Sequence, residues 1–223
     1  MTIARPDAIG RRSPLTRERV LEAAVRLADR EGIDAVSMRR LGSELGIEAM
    51  SLYTHVRGKD DLLDGMIELV IREIAVHRDE ADWKASLRRT ILAARAVVVR
   101  HPWAPRIIAN RTDPGPSGLR YYDAIMGILR EGGFSLEMTH HAIHLFGSRL
   151  LGFTQDLFDD SPDVSPDAMK AMAAAVAETH PYVAEMALGA THDGALGGCD
   201  DDVEFAFGLD LILDGLDRLR GIG

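Results

Sequence analysis

Residues 37–63 read SMRRLGSELGIEAMSLYTHVRGKDDLL, and the glycine in the middle of that run, Gly46, narrows the possible folds more than any other feature. Ser37 is placed to cap a short helix that turns Leu41 and Leu45 inward, and Gly46 follows where a chain leaving a helix often needs a left-handed turn. A second short helix then repeats Ala49, Leu52 and Val56 at helical spacing, while Ser51, Tyr53, Thr54 and His55 fill the rest of it with polar and aromatic groups. Two short helices joined by a tight glycine turn, the second with an unburied polar face, form the pattern of a helix-turn-helix. That face is expected to enter a DNA major groove. The plainer alternative is a surface helix with an arbitrary polar side.

Helical signals continue on both sides. Thr16 can cap a first helix with Val20, Ala23, Ala24 and Leu27 inward, ending near Glu31 and Gly32. Gly58 opens a fourth, with Asp60 and Asp61 in its positive first turn and Leu62, Leu63, Met66, Ile67, Val70 and Ile74 inward. Farther on, Asp82 can cap a helix through Arg100, HPWAPRI begins a kinked segment, and residues 110–118 read as a loop. A helix follows to Gly132 and Gly133, and Ser135 caps the next, expected to reach about Phe158. Ser165, Pro166 and Asp167 start another, and residues 189–199 form the last loop. Aromatic residues make up only 5% of the 223, which favours helices over sheets.

Charge is distributed unevenly. The total is −9, yet residues 1–60 hold 11 Lys or Arg against 9 Asp or Glu, so the acidity lies in the remainder. Such asymmetry points to a nucleic-acid-facing end. Arg5, Arg11, Arg12, Arg17 and Arg19 read either as a flexible basic arm or as a solvated tail. Cys199 is alone, so no internal disulfide and no cysteine-based zinc site can form. Without an apolar signal core or a run of about 18 apolar residues, the expectation is a soluble, cytoplasmic protein.

From Thr16 to Leu63 the residues resemble the DNA-binding domain of the TetR family of transcriptional regulators. The match lies in an apolar first helix, the Leu45-Gly46-Ile47 turn, the Leu52-Tyr53-x-His55-Val56 run and the Gly58-Lys59-Asp60-x-Leu62 entry to the fourth helix. GGFSLE and FGLDLILDGLDRL extend the resemblance to the C-terminal domain of the tetracycline-repressor branch. It implies an all-α fold: a three-helix helix-turn-helix domain joined by a long helix to a helical ligand-binding and dimerisation domain. The boundaries expected are residues 1–15 for the arm, 16–62 for DNA binding and 63–223 for the remainder.

The resemblance also implies roles for individual residues. Ser37, Met38 and Arg39 at the start of the second helix, and Glu48, Ala49, Met50 and Ser51 at the start of the recognition helix, match DNA-facing positions. Tyr53, Thr54 and His55 match the rest of that face, with Tyr53, His55 and Lys59 at phosphate-contacting places. An arginine fork suits phosphate or guanine, and an ammonium at a helix N-terminus suits phosphate. Ala49 and Met50 depart from the Gln and Pro of the tetracycline repressors and can meet only a thymine methyl, so a different operator is expected.

In the C-terminal part, Ile143, Phe146, Leu150, Phe153 and Leu157 form one helical seam, and Phe205, Leu209, Ile212, Leu216 and Leu219 a second. Val203, Phe207 and Leu211 add an adjoining apolar face. The two seams are read as a dimer interface, the alternative being the core of a monomer. Polar and aromatic groups among the helices nominate Trp103, Ile107, Arg111, Tyr122, Met126, His144, Arg149 and Phe153 for a ligand pocket. His140 and His144, one turn apart, raise a metal reading, but no third ligand is fixed, so no metal and no cofactor is expected. The position matching the tetracycline repressor's magnesium-binding histidine holds Ile108, so tetracycline with magnesium is a poor fit. No nucleophile elbow, phosphate loop or HExxH is present, and no enzyme is expected.

The sequence therefore reads as a dimeric DNA-binding regulator, a repressor released from a palindromic operator by a small molecule. The alternative is a helical metal- or cofactor-binding protein without regulatory DNA binding.

Overall fold

The structure is a computed structural model that describes residues 14–78, 82–151, 165–189, 191–192, 195–196 and 201–220. Eleven α-helices are present among them: α1 (Arg17–Glu31), α2 (Met38–Leu45), α3 (Ala49–Leu52), α4 (Lys59–Arg72), α5 (Trp83–Arg100), α6 (Ala104–Ala109), α7 (Gly115–Glu131), α8 (Leu136–Leu151), α9 (Pro166–Val176), α10 (Pro181–Gly189) and α11 (Asp201–Leu219). A two-residue antiparallel ladder, Thr191–His192 with Ala195–Leu196, lies in the last expected loop. The all-α class holds.

The helix starts follow the expected caps. Thr16 accepts from the Arg19 amide, Ser37 from Arg40, Ser135 from Met138 and Ser165 from Ala168, each at 3.1 to 3.2 Å. Asp82 accepts weakly from the Lys84 and Ala85 amides at the start of α5. Gly32 and Gly46, at φ +81° and +66°, end α1 and α2 in conformations that favour glycine. Two expectations are corrected. Residues 115–118 are not loop but the first turn of α7, and Ile74 lies beyond the end of α4 at Arg72.

The start of α7 explains the first correction. Asp113 accepts from the Gly115 amide at 2.9 Å, and Glu68 of α4 accepts from the Ser117 amide at 3.0 Å. A carboxylate from another helix thus supplies the cap that the local sequence Gly-Pro-Ser-Gly does not advertise.

The chain divides into two compact units, one of residues 14–75 with 95–122 and the other of residues 76–94 with 123–220. A single cut after Leu62 does not describe this division. Leu62, Met66, Ile67 and Val70 of α4 share one buried cluster with Val20, Ala24 and Leu27 of α1, Leu41, Leu52 and Val56. Val97, Trp103 and Ala104 belong to the same cluster, so α4 and the α5–α6 turn complete the core of the helix-turn-helix unit. A three-helix domain of about 50 residues buries only a modest core, and these added residues enlarge it.

In the second unit the buried face of α5 is Trp83, Leu87, Ile91 and Ala94, and Trp83 meets Phe134 edge-on at 4.6 Å. Arg88 forms a two-armed pair with Asp210, and Lys84 pairs with Asp214, joining α5 to α11. α9 and α10 pack as a hairpin over Ala173 and Ala184.

The expected dimer seams are corrected by burial. Phe146, Leu150, Phe205, Leu209 and Leu216 are buried inside the single chain, and Ile143 and Ile212 are half-buried. Of that set only Leu219 is exposed, while Phe153 and Leu157 lie outside the described residues. The wide apolar surface of α11 lies instead on the adjoining face, where Val203, Phe207 and Leu211 are 51%, 61% and 55% exposed.

Candidate nucleic-acid interface

α2 and α3 approach so closely that a Cβ on Gly42 would lie 2.9 Å from the Ile47 carbonyl oxygen and 3.2 Å from the backbone of Ala49. Gly46 at φ +66°, ψ +37° turns the chain between them, and the Ile47 amide returns to the Gly42 carbonyl at 2.9 Å. The α-helix proper of the recognition segment spans only Ala49–Leu52, and turns carry it to Val56 through His55 and Val56 amides donating to the Leu52 carbonyl. Leu52 and Val56 are buried as expected, anchoring the segment by its apolar side.

The opposite side is open. Met50 is 75% exposed, and Glu48, Ser51, Tyr53, Thr54, Arg39 and Lys59 are exposed with it. The Thr54 hydroxyl donates to the Ser51 carbonyl at 2.7 Å, and His55 is half-buried. Lys59 opens α4, where unpaired amides favour an anion. Three nominated residues have other duties. Met38 packs partly buried against the core, Ala49 sits half-buried in the α2–α3 contact, and the Ser37 hydroxyl oxygen is occupied as a cap acceptor.

A brace holds this surface together. The Arg17 guanidinium donates to both Asp61 carboxylate oxygens at 2.8 and 2.9 Å and to the His55 carbonyl at 2.9 Å. Asp61 also accepts from the Arg57 amide at 2.8 Å. The Arg17 guanidinium, with the Arg57 amide, holds the Asp61 carboxyl well below the usual carboxylate range. Arg17 is therefore corrected from arm to brace, and Arg5, Arg11 and Arg12 lie outside the described residues. Arg40 pairs with Glu31 at 2.7 Å and Glu44 at 3.6 Å.

Against this geometry the sequence comparisons are decisive. Residues 20–66 match the family described as bacterial regulatory proteins, tetR family, and residues 77–220 match the tetracyclin repressor-like C-terminal domain. The chain belongs to the TetR family. The structure of the TetR family protein ActR of Streptomyces coelicolor in complex with (S)-DNPA superimposes with TM-score 0.72 at 30% identity, covering 94% of this chain and all of that one. The transcriptional repressor DrrR1 of Streptomyces coeruleorubidus is 38% identical over 128 residues, 56% of this chain and 47% of DrrR1. The chain thus spans about half the length of that relative. The class C tetracycline repressor of Escherichia coli is 26% identical over 92% of each chain.

The TetR-type pocket nominees divide between the two units. Trp103 is buried with its indole N–H donated to Asp29 at 2.7 Å, and Ile107 packs on the same core. Arg111 donates to Asp64 of α4 and to the Asp113 carbonyl, and Tyr122 is half-buried beside Tyr121. Burial pushes the Tyr121 hydroxyl up from its ordinary range. In the other unit, Met126 and His144 are exposed, and Arg149 donates to the Glu204 carbonyl at 2.7 Å while lying over the Phe205 ring. Arg149 thus ties α8 to α11. Phe153 lies outside the described residues. His140 and His144 stack edge-on at 4.6 Å, and no group of three or more metal-ligating side chains occurs among the described residues. Among those residues no helix is long and apolar enough to cross a membrane.

The residues that sequence reasoning missed are Gly42, Asp61, Glu68 and His101. Asp61 carried a partial signal, as an acid in a first helical turn. Gly42 meets Ile47 and Ala49 across the adjacent turn, whereas the partners of Glu68 and His101 lie in remote segments.

Proposed function

We propose that the protein is a homodimeric, operator-binding repressor that a small molecule releases from DNA. The observation that carries this reading is the recognition segment itself: an apolar side buried at Leu52 and Val56, and an open side of Met50, Ser51, Tyr53 and Thr54 beside Lys59 at a helix N-terminus. Arg39, Tyr53, His55 and Lys59 take the phosphate backbone, and Met50 and Ser51 meet base edges, with Glu48 and Ala49 at the entry of the segment. The hydroxyl of Ser37 and the side chain of Met38 support rather than read.

Two such segments must reach successive major grooves about 34 to 36 Å apart, which calls for a two-fold dimer and a palindromic site. The exposed stripe of Val203, Phe207 and Leu211 supports pairing through α11. ActR has been seen with (S)-DNPA and with actinorhodin, which supports an organic small-molecule ligand here as well. A mostly apolar ligand carrying an acidic or hydrogen-bond-accepting group is our assignment, and the site of action is the cytoplasm, where the operator lies.

Selection of bound fragments from random DNA tests the reading. A palindrome should emerge. Lys59→Ala should weaken binding to all duplexes alike and lower the salt slope by roughly one. Changes at Met50 or Ser51 should instead alter base preference by about 1–3 kcal/mol at one position. Recovery of no common sequence, or a Lys59→Ala effect confined to one base, would overturn the docking.

A further inference from the structure

Beyond the last turn of α4, away from the open face of the recognition segment, three parts of the chain converge on one imidazole. His101 follows α5, and its ring is almost wholly buried. Nδ1 lies 2.8 Å from Asp29 Oδ1 on α1, and Nε2 lies 3.4 Å from Glu73 Oε2, the residue that closes α4. The Trp103 indole N–H donates to the same Asp29 oxygen at 2.7 Å, and the Arg100 guanidinium donates to the same Glu73 oxygen at 2.9 Å. An ionised carboxylate only accepts, so the ring donates to both sides only when both its nitrogens carry protons.

Elsewhere α4 is held against α1 by the apolar side chains of Leu62, Met66, Ile67 and Val70 and, at its first turn, by the Arg17–Asp61 pair. The apolar contacts are non-directional. Hydrogen bonds through a flat, rigid ring restrict distance and angle together. The end of α4 is thus tied to α1 through one imidazole, by contacts of 2.8 Å on the Asp29 side and 3.4 Å on the Glu73 side. That imidazole comes from the turn following α5, a helix whose first residues, 83–94, belong to the other unit.

We propose that the Asp29–His101–Glu73 bridge is a positioning joint that sets the separation of the two recognition segments in the DNA-bound dimer. The preference for one half-site spacing then depends on it. The proposal rests on the reading of the chain as a dimeric operator binder. His101 touches no DNA in this scheme; it acts through the orientation of α4.

The test uses full-length protein and the operator recovered by selection, together with duplexes in which one base pair is inserted or removed between the half-sites. Wild type should prefer its own spacing by about tenfold, on the scale of one unfavourable base pair. His101→Gln and Glu73→Ala should each shrink that ratio several-fold. Glu22→Gln, at the exposed pair with Arg26, should leave it unchanged. The ratio is independent of how much of a variant is folded, so a merely structural role would lower all affinities and leave it constant. Glu73 is more exposed than His101, so Glu73→Ala remains informative if His101→Gln does not fold. An unchanged ratio in Glu73→Ala, or equal wild-type binding at every spacing, overturns the joint. Failure of wild type to bind any duplex specifically would instead bring down the operator-binding reading on which the joint stands.

Discussion

Gly42 and Asp61 show how single residues set the DNA-facing surface without touching DNA. The atoms nearest a Cβ at Gly42 are backbone, at 2.9 Å for the Ile47 oxygen and 3.2 Å for Ala49, so no side chain can swing aside. Gly42→Ala should force α2 and α3 apart at about 1–3 kcal/mol, the usual cost of overpacking. Thermal denaturation should show the loss of stability, and operator affinity should fall more than affinity for random duplex. Asp61 works through charge. Because its folded carboxyl is held below the unfolded value of about 3.9, its contribution is complete above that value and is lost as pH falls through the folded one. Asp61→Asn should cost about 1 kcal/mol at neutral pH, a figure kept small because Arg17 is 43% exposed. Melting curves of wild type and variant should differ by a constant amount from pH 7 to about 5, and the difference should shrink progressively as pH falls below about 4.

At the scale of elements, α4 serves two roles at once. Its apolar face completes the core with α1, while Asp64, Glu68 and, just past its end, Glu73 hold Arg111, the first turn of α7 and His101. A shift of α4 must therefore strain contacts at three levels, which makes it the natural carrier of a coupling between ligand and operator of about 1–3 kcal/mol. The cap from Glu68 can be tested alone. Glu68→Ala should cost about 1 kcal/mol, as lost caps do, and should speed hydrogen exchange at the Ser117 amide. Glu68→Gln retains a carbonyl acceptor and should protect that amide nearly as well as wild type. Equal exchange in all three proteins would show that the bond does not hold the helix.

For the whole molecule the question is which face of α11 meets a second copy. Leu209 and Leu216 are buried in one chain, so a glutamate at either buries an unpaired charge in the fold and should unfold the protein. Phe207 and Leu211 are exposed in one chain. Phe207→Glu together with Leu211→Glu should yield a folded monomer with native helix content in sedimentation and circular dichroism, and operator affinity should fall to the non-specific level. A double variant that stays dimeric would place the interface elsewhere.

Local chemistry made much of this protein legible from its residues. Thr16, Ser37, Ser135 and Ser165 begin helices because a hydroxyl three residues ahead of a free amide caps it in any context, and Gly46 ends α2 because the left-handed turn penalises a side chain. The open face from Met50 to Thr54 was equally legible, since Leu52 and Val56 define its buried side by period alone. Periodicity also marked the apolar residues of α8 and α11. It did not say which of them face their own chain, because an interior seam and an intersubunit seam share the same spacing of three and four. Only the tertiary structure separated Phe205, Leu209 and Leu216 from Val203, Phe207 and Leu211. It alone brought Glu68 to Ser117 and His101 to Asp29 and Glu73, pairs separated by 28 to 72 residues. The reason is physical: a cap within one turn is decided by neighbours along the chain, whereas a partner dozens of residues away is decided by how the helices pack.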